Sequence, residues 1–349
     1  MENRASGKPS IRELGNMRRK AVDPSQGGLI KTGYLQSEES LPLVIQPAME
    51  EVNLIDWVVS NREFIKDQLL KKGGILFRNF DISTVADFNR FMTSTSIQMM
   101  EYQEGASPRT SISENIYTST DYPADYSIFP HNELAYRHTF PLKIFFFCMV
   151  PPQQAGETPI VDVRKVFARI DPKIRERFYQ KNWMLIRNFG DGFGLSWQQV
   201  FHTTDQVRVE EYCRSAGIDF EWKDSSHLRT RQVRPAFAKH PYTKEMVWFN
   251  HATFFHVSTL EPKIREEILE EFKEEDLPTN TYYGDGSPIE SEVLDELRDT
   301  YQQETVAFPW QKGDLLMLDN MLVAHGRAPF AGPRRVLVGM SDPCSWKEL

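Results

Sequence analysis

The chain has 349 residues, 40% hydrophobic and 26% charged, which is enough apolar material for one large core or two ordinary ones. A formal net charge of −8 excludes a general nucleic-acid binder, which needs a basic face to neutralise phosphates. Three scattered cysteines without a CxxC pair exclude a disulfide framework, and no stretch approaches the ~20 apolar residues of a membrane span.

The N-terminal twenty residues carry charge but no apolar segment of the kind a secretory signal needs, so a cytoplasmic protein is expected. Residues 1–30 are polar and rich in Gly, Pro, Ser and Arg, and read as a loosely ordered arm before one domain over 31–349. From Val52 to Lys71 apolar residues recur at helical spacing. Gly73-Gly74 then ends the helix, and Ile75-Leu76-Phe77 reads as a buried strand. A further helix is expected over Val85–Thr95. Between Ser111 and Val163 the pattern turns to short strands, of which Leu142–Val150 is so continuously apolar that both faces should be covered. Cys148 falls in that run and reads as a core residue. Helices are predicted at Val163–Gln180, Asp205–Ala216, Glu261–Glu275 and Ser287–Glu304, making a mostly helical insertion over about 165–300. The chain closes with strands at Asp314–Leu318 and Arg335–Met340. Strands on both sides of the long middle section predict a mainly β fold with helices, a β-sandwich or jelly roll carrying an insertion.

Within the strand region, Phe129-Pro130-His131-Asn132-Glu133 places an imidazole and a carboxylate two residues apart. On an extended strand both would point to one face, where they could hold a single ion. One further histidine would complete a two-His-one-carboxylate set, which leaves Fe(II) positions open for oxygen chemistry. His138, His202, His227, His240, His251, His256 and His325 are the candidates. His325 stands out because the strand ending at Leu318 runs through a turn into Val323-Ala324-His325-Gly326-Arg327, with a glycine that permits close backbone approach. His251 and His256, five apart, suit neither one strand face nor one helix face and read as wall or structural residues. His138 would face away from the other two.

Nine and ten residues past His325, Arg334 and Arg335 open an apolar strand. Only one of two consecutive strand residues can enter the interior, where its planar fork would suit a carboxylate. Thr158, in Gly156-Glu157-Thr158-Pro159, reads on local grounds as a turn residue.

Together these segments resemble the taurine catabolism dioxygenase family, in the branch that contains clavaminate synthase and the hydroxylase of syringomycin biosynthesis. The likeness extends over about residues 70–345. It rests on Gly74–Phe80, Pro130–Glu133, Gly156–Pro159, Val247–His251, Tyr283–Gly286 and Gly313-Asp314 through Gly332-Pro333-Arg334-Arg335. The resemblance implies a double-stranded β-helix (jelly roll) of the clavaminate synthase type, with iron on His131, Glu133 and His325. It implies 2-oxoglutarate as co-substrate, contacted by Thr158 and by an arginine of the Arg334-Arg335 pair, with O2 as oxidant. In the family's taurine enzyme another arginine, four residues past the co-substrate arginine, grips the sulfonate. Val338 and Gly339 stand there, which speaks against a sulfonate. Glu133 is retained where the related halogenases carry a small residue, which favours hydroxylation or a related oxidation. The branch implies a small amino-acid- or peptide-like substrate, free or tethered to a carrier protein, in secondary metabolism. Phe249, Asn250 and Tyr136 are candidate pocket residues. A jelly-roll scaffold without redox function and a zinc hydrolase are the competing readings.

Overall fold

A computed structural model describes residues 28–35, 41–102, 104–105, 109–119, 122–190, 192 and 194–349. The predicted arm falls almost wholly outside them. The centre is a double-stranded β-helix. Its larger sheet runs in the order Ile30–Gly33, Leu43–Pro47, Gly74–Phe77, Leu315–Asp319, Thr139–Val150, Arg335–Ser345, Ile116–Thr118, Ser111–Ser113. Its smaller sheet runs Thr305–Val306, Ile160–Asp162, Val323–Arg327, Ile128–His131, antiparallel throughout.

The apolar run on Thr139–Val150 is covered on both faces, as its composition predicts. Ile144, Phe146 and Cys148 join the core that also takes Ile160, Val161 and Val323 of the smaller sheet. Phe145 and Phe147, pointing the other way, pack against helices. Phe91 meets Phe145 edge-on at 6.2 Å and Phe88 stacks on Phe147 at 5.4 Å, both from the helix Val85–Thr95. That helix starts where predicted because Thr84 and Asp87 form a reciprocal capping box. The predicted helix over Val52–Lys71 is two, Leu54–Ser60 and Arg62–Lys72, joined at Asn61. Gly73 closes the second in the left-handed region, φ 79°. The Val163–Gln180 helix is likewise divided, into Val163–Arg169 and Pro172–Lys181, because Pro172 cannot continue a helix and instead starts one.

The expectation of a mostly helical insertion needs correction. Its helices are present, but they surround a four-stranded antiparallel sheet, Asp219–Trp222, Leu228–Arg234, Trp183–Phe189 and Thr279–Tyr283. The strand Leu228–Arg234 buries Thr230, Gln232 and Arg234 beside Leu228. With polar side chains on the inward face, no apolar alternation marks it in the sequence.

Arg78 and Asp314 tie the larger sheet to the loop ahead of its Leu315–Asp319 strand. Arg78 donates from Nε and Nη2 to the two oxygens of Asp314 at 2.9 and 2.6 Å, and both side chains are buried. Removing one partner strands a buried charge, so Arg78→Met alone should cost about 3–5 kcal/mol. The double change Arg78→Met with Asp314→Leu should cost clearly less. A urea-denaturation double-mutant cycle reads the difference.

Candidate active site

His131 and His325 sit directly opposite each other on adjacent strands of the smaller sheet. Their pairing is followed by a bulge at Gly326, where an added Cβ would lie 2.5 Å from the Ile128 carbonyl oxygen. Only glycine allows the two backbones to come this close. Glu133 reaches the same point by another route than two residues along a strand. The strand ends at His131, and Glu133 lies in the turn beyond, ahead of Leu134 with its φ of 57°.

Asn320 holds that turn. Its Oδ1 accepts from the Glu133 amide at 2.7 Å, and its Nδ2 donates to the carbonyls of Glu133 and Pro141 at 2.9 and 2.8 Å. Asn132 donates back to the Asn320 carbonyl at 2.7 Å. Next to it, Asp319 accepts from the Met321 and Leu322 amides and so shapes the turn leading to the strand of His325. One tight turn therefore sets two arms of the site. Asn320→Ala leaves several buried backbone groups unpaired and should cost about 2–4 kcal/mol. It should also weaken Fe(II) binding roughly 10–100-fold, as changes behind metal ligands do. Anaerobic Fe(II) titration of a variant shown to be folded checks this.

One ligand atom from each of His131, Glu133 and His325 lies within 4.8 Å of the others, and all three residues are buried. His131 Nδ1 lies 2.9 Å from the Phe129 carbonyl oxygen, to which it can only donate, leaving Nε2 as the free ligand atom. Burial, then the neighbouring His325, hold His131 well below the usual histidine range and therefore neutral. Burial alone would raise the Glu133 carboxyl, but Arg109, with His325 and His131, holds it well below the usual carboxylate range. Neutral imidazole and ionised carboxylate are the forms that a divalent ion requires, so the donor set fits Fe(II).

Arg334 lines the cleft beside this cluster. Its Nε donates to the Gly156 carbonyl at 3.0 Å, Nη1 to Ser119 at 3.2 Å and Nη2 to Thr158 at 3.4 Å. Thr158, just ahead of the strand Ile160–Asp162, is buried and also accepts from Trp310 Nε1 at 3.2 Å. Arg334 is thus surrounded by neutral acceptors. Burial, and then the nearby Arg327 guanidinium, push it down to about 10, still charged at neutral pH. Arg335 is exposed at the start of its strand and does not line the cleft.

The other candidates lie elsewhere. His251 packs behind His131 and donates from Nε2 to the Asn132 carbonyl at 2.6 Å, bracing the turn of Glu133. His256 caps a short 3-10 turn at Val257–Thr259, and the His138 carbonyl accepts from Trp346, away from the cluster. Phe249 packs on Phe140 and Trp346. Asn250 bonds the Ala236 carbonyl and the Ala252 amide, and Tyr136 donates to the Glu104 carbonyl. These three are interior residues and do not line the cleft. The residues that line it unannounced are Arg109, Ser119, Ile128 and Phe146. Phe146 was legible only as part of an apolar run, and Arg109 carried no motif at all.

A family model described as taurine catabolism dioxygenase TauD, TfdA family matches residues 38–341. The dapdiamide synthesis protein DdaC of Enterobacter agglomerans is 40% identical over 279 residues, covering 80% of this chain and 85% of that protein. A clavaminate synthase-like protein of Arabidopsis thaliana is 29% identical over 311 residues, covering 86% and 90%. Among solved structures, PvcB of Pseudomonas aeruginosa superposes with a TM-score of 0.54 at 14% identity, covering 91% and 92%, a likeness of fold. With the family model spanning most of its length, the chain belongs to the taurine catabolism dioxygenase family.

Proposed function

We propose that the protein is an Fe(II)- and 2-oxoglutarate-dependent oxygenase that hydroxylates an unactivated carbon of a small amino-acid- or peptide-like substrate in natural-product biosynthesis. His131, Glu133 and His325 hold the iron, and Arg334 with Thr158 and Ser119 receives the distal carboxylate of 2-oxoglutarate. The observation that carries this reading is a buried His-Glu-His cluster beside a partly buried arginine in one cleft, whose hydrogen-bond partners are all neutral. A binding scaffold has no use for that combination, and a zinc hydrolase has no use for the arginine.

When bound, iron, O2 and 2-oxoglutarate supply the oxidising power, with succinate and CO2 released. The chain's own residues supply position and dryness. Phe146 packs against His325 at 4.9 Å and Phe254 stacks on His131 at 4.3 Å, fixing both rings and excluding water from them. Arg109 and Asn320 fix Glu133 by side chain and by backbone. The amino-acid- or peptide-like class, free or carrier-tethered, draws support from the family branch and from the biosynthetic relative DdaC.

The test is anaerobic titration of the metal-free protein with Fe(II) and then 2-oxoglutarate. A visible charge-transfer band that is absent in His131→Ala supports the reading. Iron binding without the band removes 2-oxoglutarate, and no metal binding returns the protein to the scaffold class.

A further inference from the structure

Resting on the oxygenase reading, we infer that Arg109 is a second anion site in the cleft and that the substrate presents a free carboxylate to it. The Arg109 side chain is 5% exposed. Nη2 donates to Glu133 Oε2 at 2.8 Å, and the guanidinium lies 4.4 Å over the ring of Tyr102. The Tyr102 amide in turn donates to the Tyr117 hydroxyl at 3.1 Å, so the platform under the guanidinium is itself held. Nε and Nη1 are buried and have no hydrogen-bond partner among the described residues. Two unpaired guanidinium nitrogens in the interior are costly unless a ligand completes them.

The open nitrogens of Arg109 identify the missing ligand as an anion. Arg109 and Arg334 line the same cleft as His131 and His325. The co-substrate cannot supply that anion, since one end of it is committed to the metal and the other to Arg334. A carboxylate on the substrate can, by accepting from Nη1, one of the nitrogens that Glu133 leaves open. Arg109 lies one hydrogen bond from a metal ligand, so a substrate anchored there by its carboxylate places its nearest carbons beside the iron. The substrate class is therefore an amino acid or acyl amino acid with its carboxylate free. A substrate carried to the site with that carboxylate bound as an ester or thioester is disfavoured.

The experiment uses the full chain loaded with Fe(II) and measures succinate formed from 2-oxoglutarate above the rate without substrate. The probes are N-acetyl-L-amino acids, each paired with its methyl ester. Acids should stimulate succinate formation at least tenfold more effectively than their esters. In Arg109→Met that preference should vanish, read with Fe(II) raised until the 2-oxoglutarate charge-transfer band is restored, because the change also frees the Glu133 carboxylate. Arg109→Lys should retain part of the preference. Esters that match the acids, a preference that survives Arg109→Met, or acids that all fail to stimulate would overturn the assignment. Loss of the charge-transfer band in the wild-type protein would instead overturn the oxygenase reading, so the two failures are distinguishable.

Discussion

His325→Ala and Glu133→Ala should both fall below about 1% of wild-type turnover, beyond the 10–100-fold that changes behind a metal ligand produce. Their stabilities should differ sharply. In the metal-free protein His325 Nδ1 is buried without a hydrogen-bond partner among the described residues, so truncating this side chain removes an unsatisfied group along with its packing on Phe146. His325→Ala should therefore melt close to wild type. Among the described residues Glu133 is the only carboxylate within ion-pair distance of Arg109, and both side chains are 5% exposed. Glu133→Ala leaves that guanidinium buried and unpaired, at about 3–5 kcal/mol. Urea denaturation without metal separates the two variants. A melt with Fe(II) under anaerobic conditions adds the second arm: the ion should raise the midpoint of the wild type and of neither variant. Equal stability of the two metal-free variants would show that the Arg109–Glu133 pair contributes nothing to the fold.

The contrast between those ligands shows what a sequence can and cannot convey. The residue types of the cluster were legible: an imidazole and a carboxylate two apart, and a second imidazole at a strand exit with a glycine after it. The geometry behind the first pair was not. A strand was the simplest way to turn His131 and Glu133 to one ion, yet the chain leaves the strand at His131 and delivers Glu133 from a turn. That turn depends on Asn320, 187 residues away, whose contacts exist only once the sheets have formed. Arg109 is harder still, since it sits outside any strand or helix and its meaning comes from what it meets in space. The β-helix strands were readable because Phe145 and Phe146 alternate between two apolar environments. The sheet of the insertion was not, because Thr230, Gln232 and Arg234 bury polar groups in hydrogen-bonding surroundings that hydropathy cannot register.

The Arg334-Arg335 pair gives the second large effect, because two adjacent and chemically identical residues should behave in opposite ways. Arg334 is held by the Gly156 carbonyl, Ser119 and Thr158, inside the cleft, whereas Arg335 is exposed. Losing a buried, hydrogen-bonded partner of a carboxylate costs about 2–5 kcal/mol. Arg334→Met should therefore raise the KM for 2-oxoglutarate by roughly 30-fold to several thousand-fold. Arg334→Lys should fall between, because it keeps the charge and loses the planar fork that spans Ser119 and Thr158. Arg335→Met should leave KM within twofold. Stability carries the sign of the argument. Burial and Arg327 lower the Arg334 pKa to about 10, so at every pH below that its charge opposes folding of the ligand-free protein. Arg334→Met should accordingly be no less stable than wild type without ligand, while adding 2-oxoglutarate to the Fe(II)-loaded protein should further stabilise the wild type alone. A variant that lost stability as well as affinity would mark Arg334 as a structural residue. Retained stability with lost affinity marks a cation kept unpaired for the co-substrate.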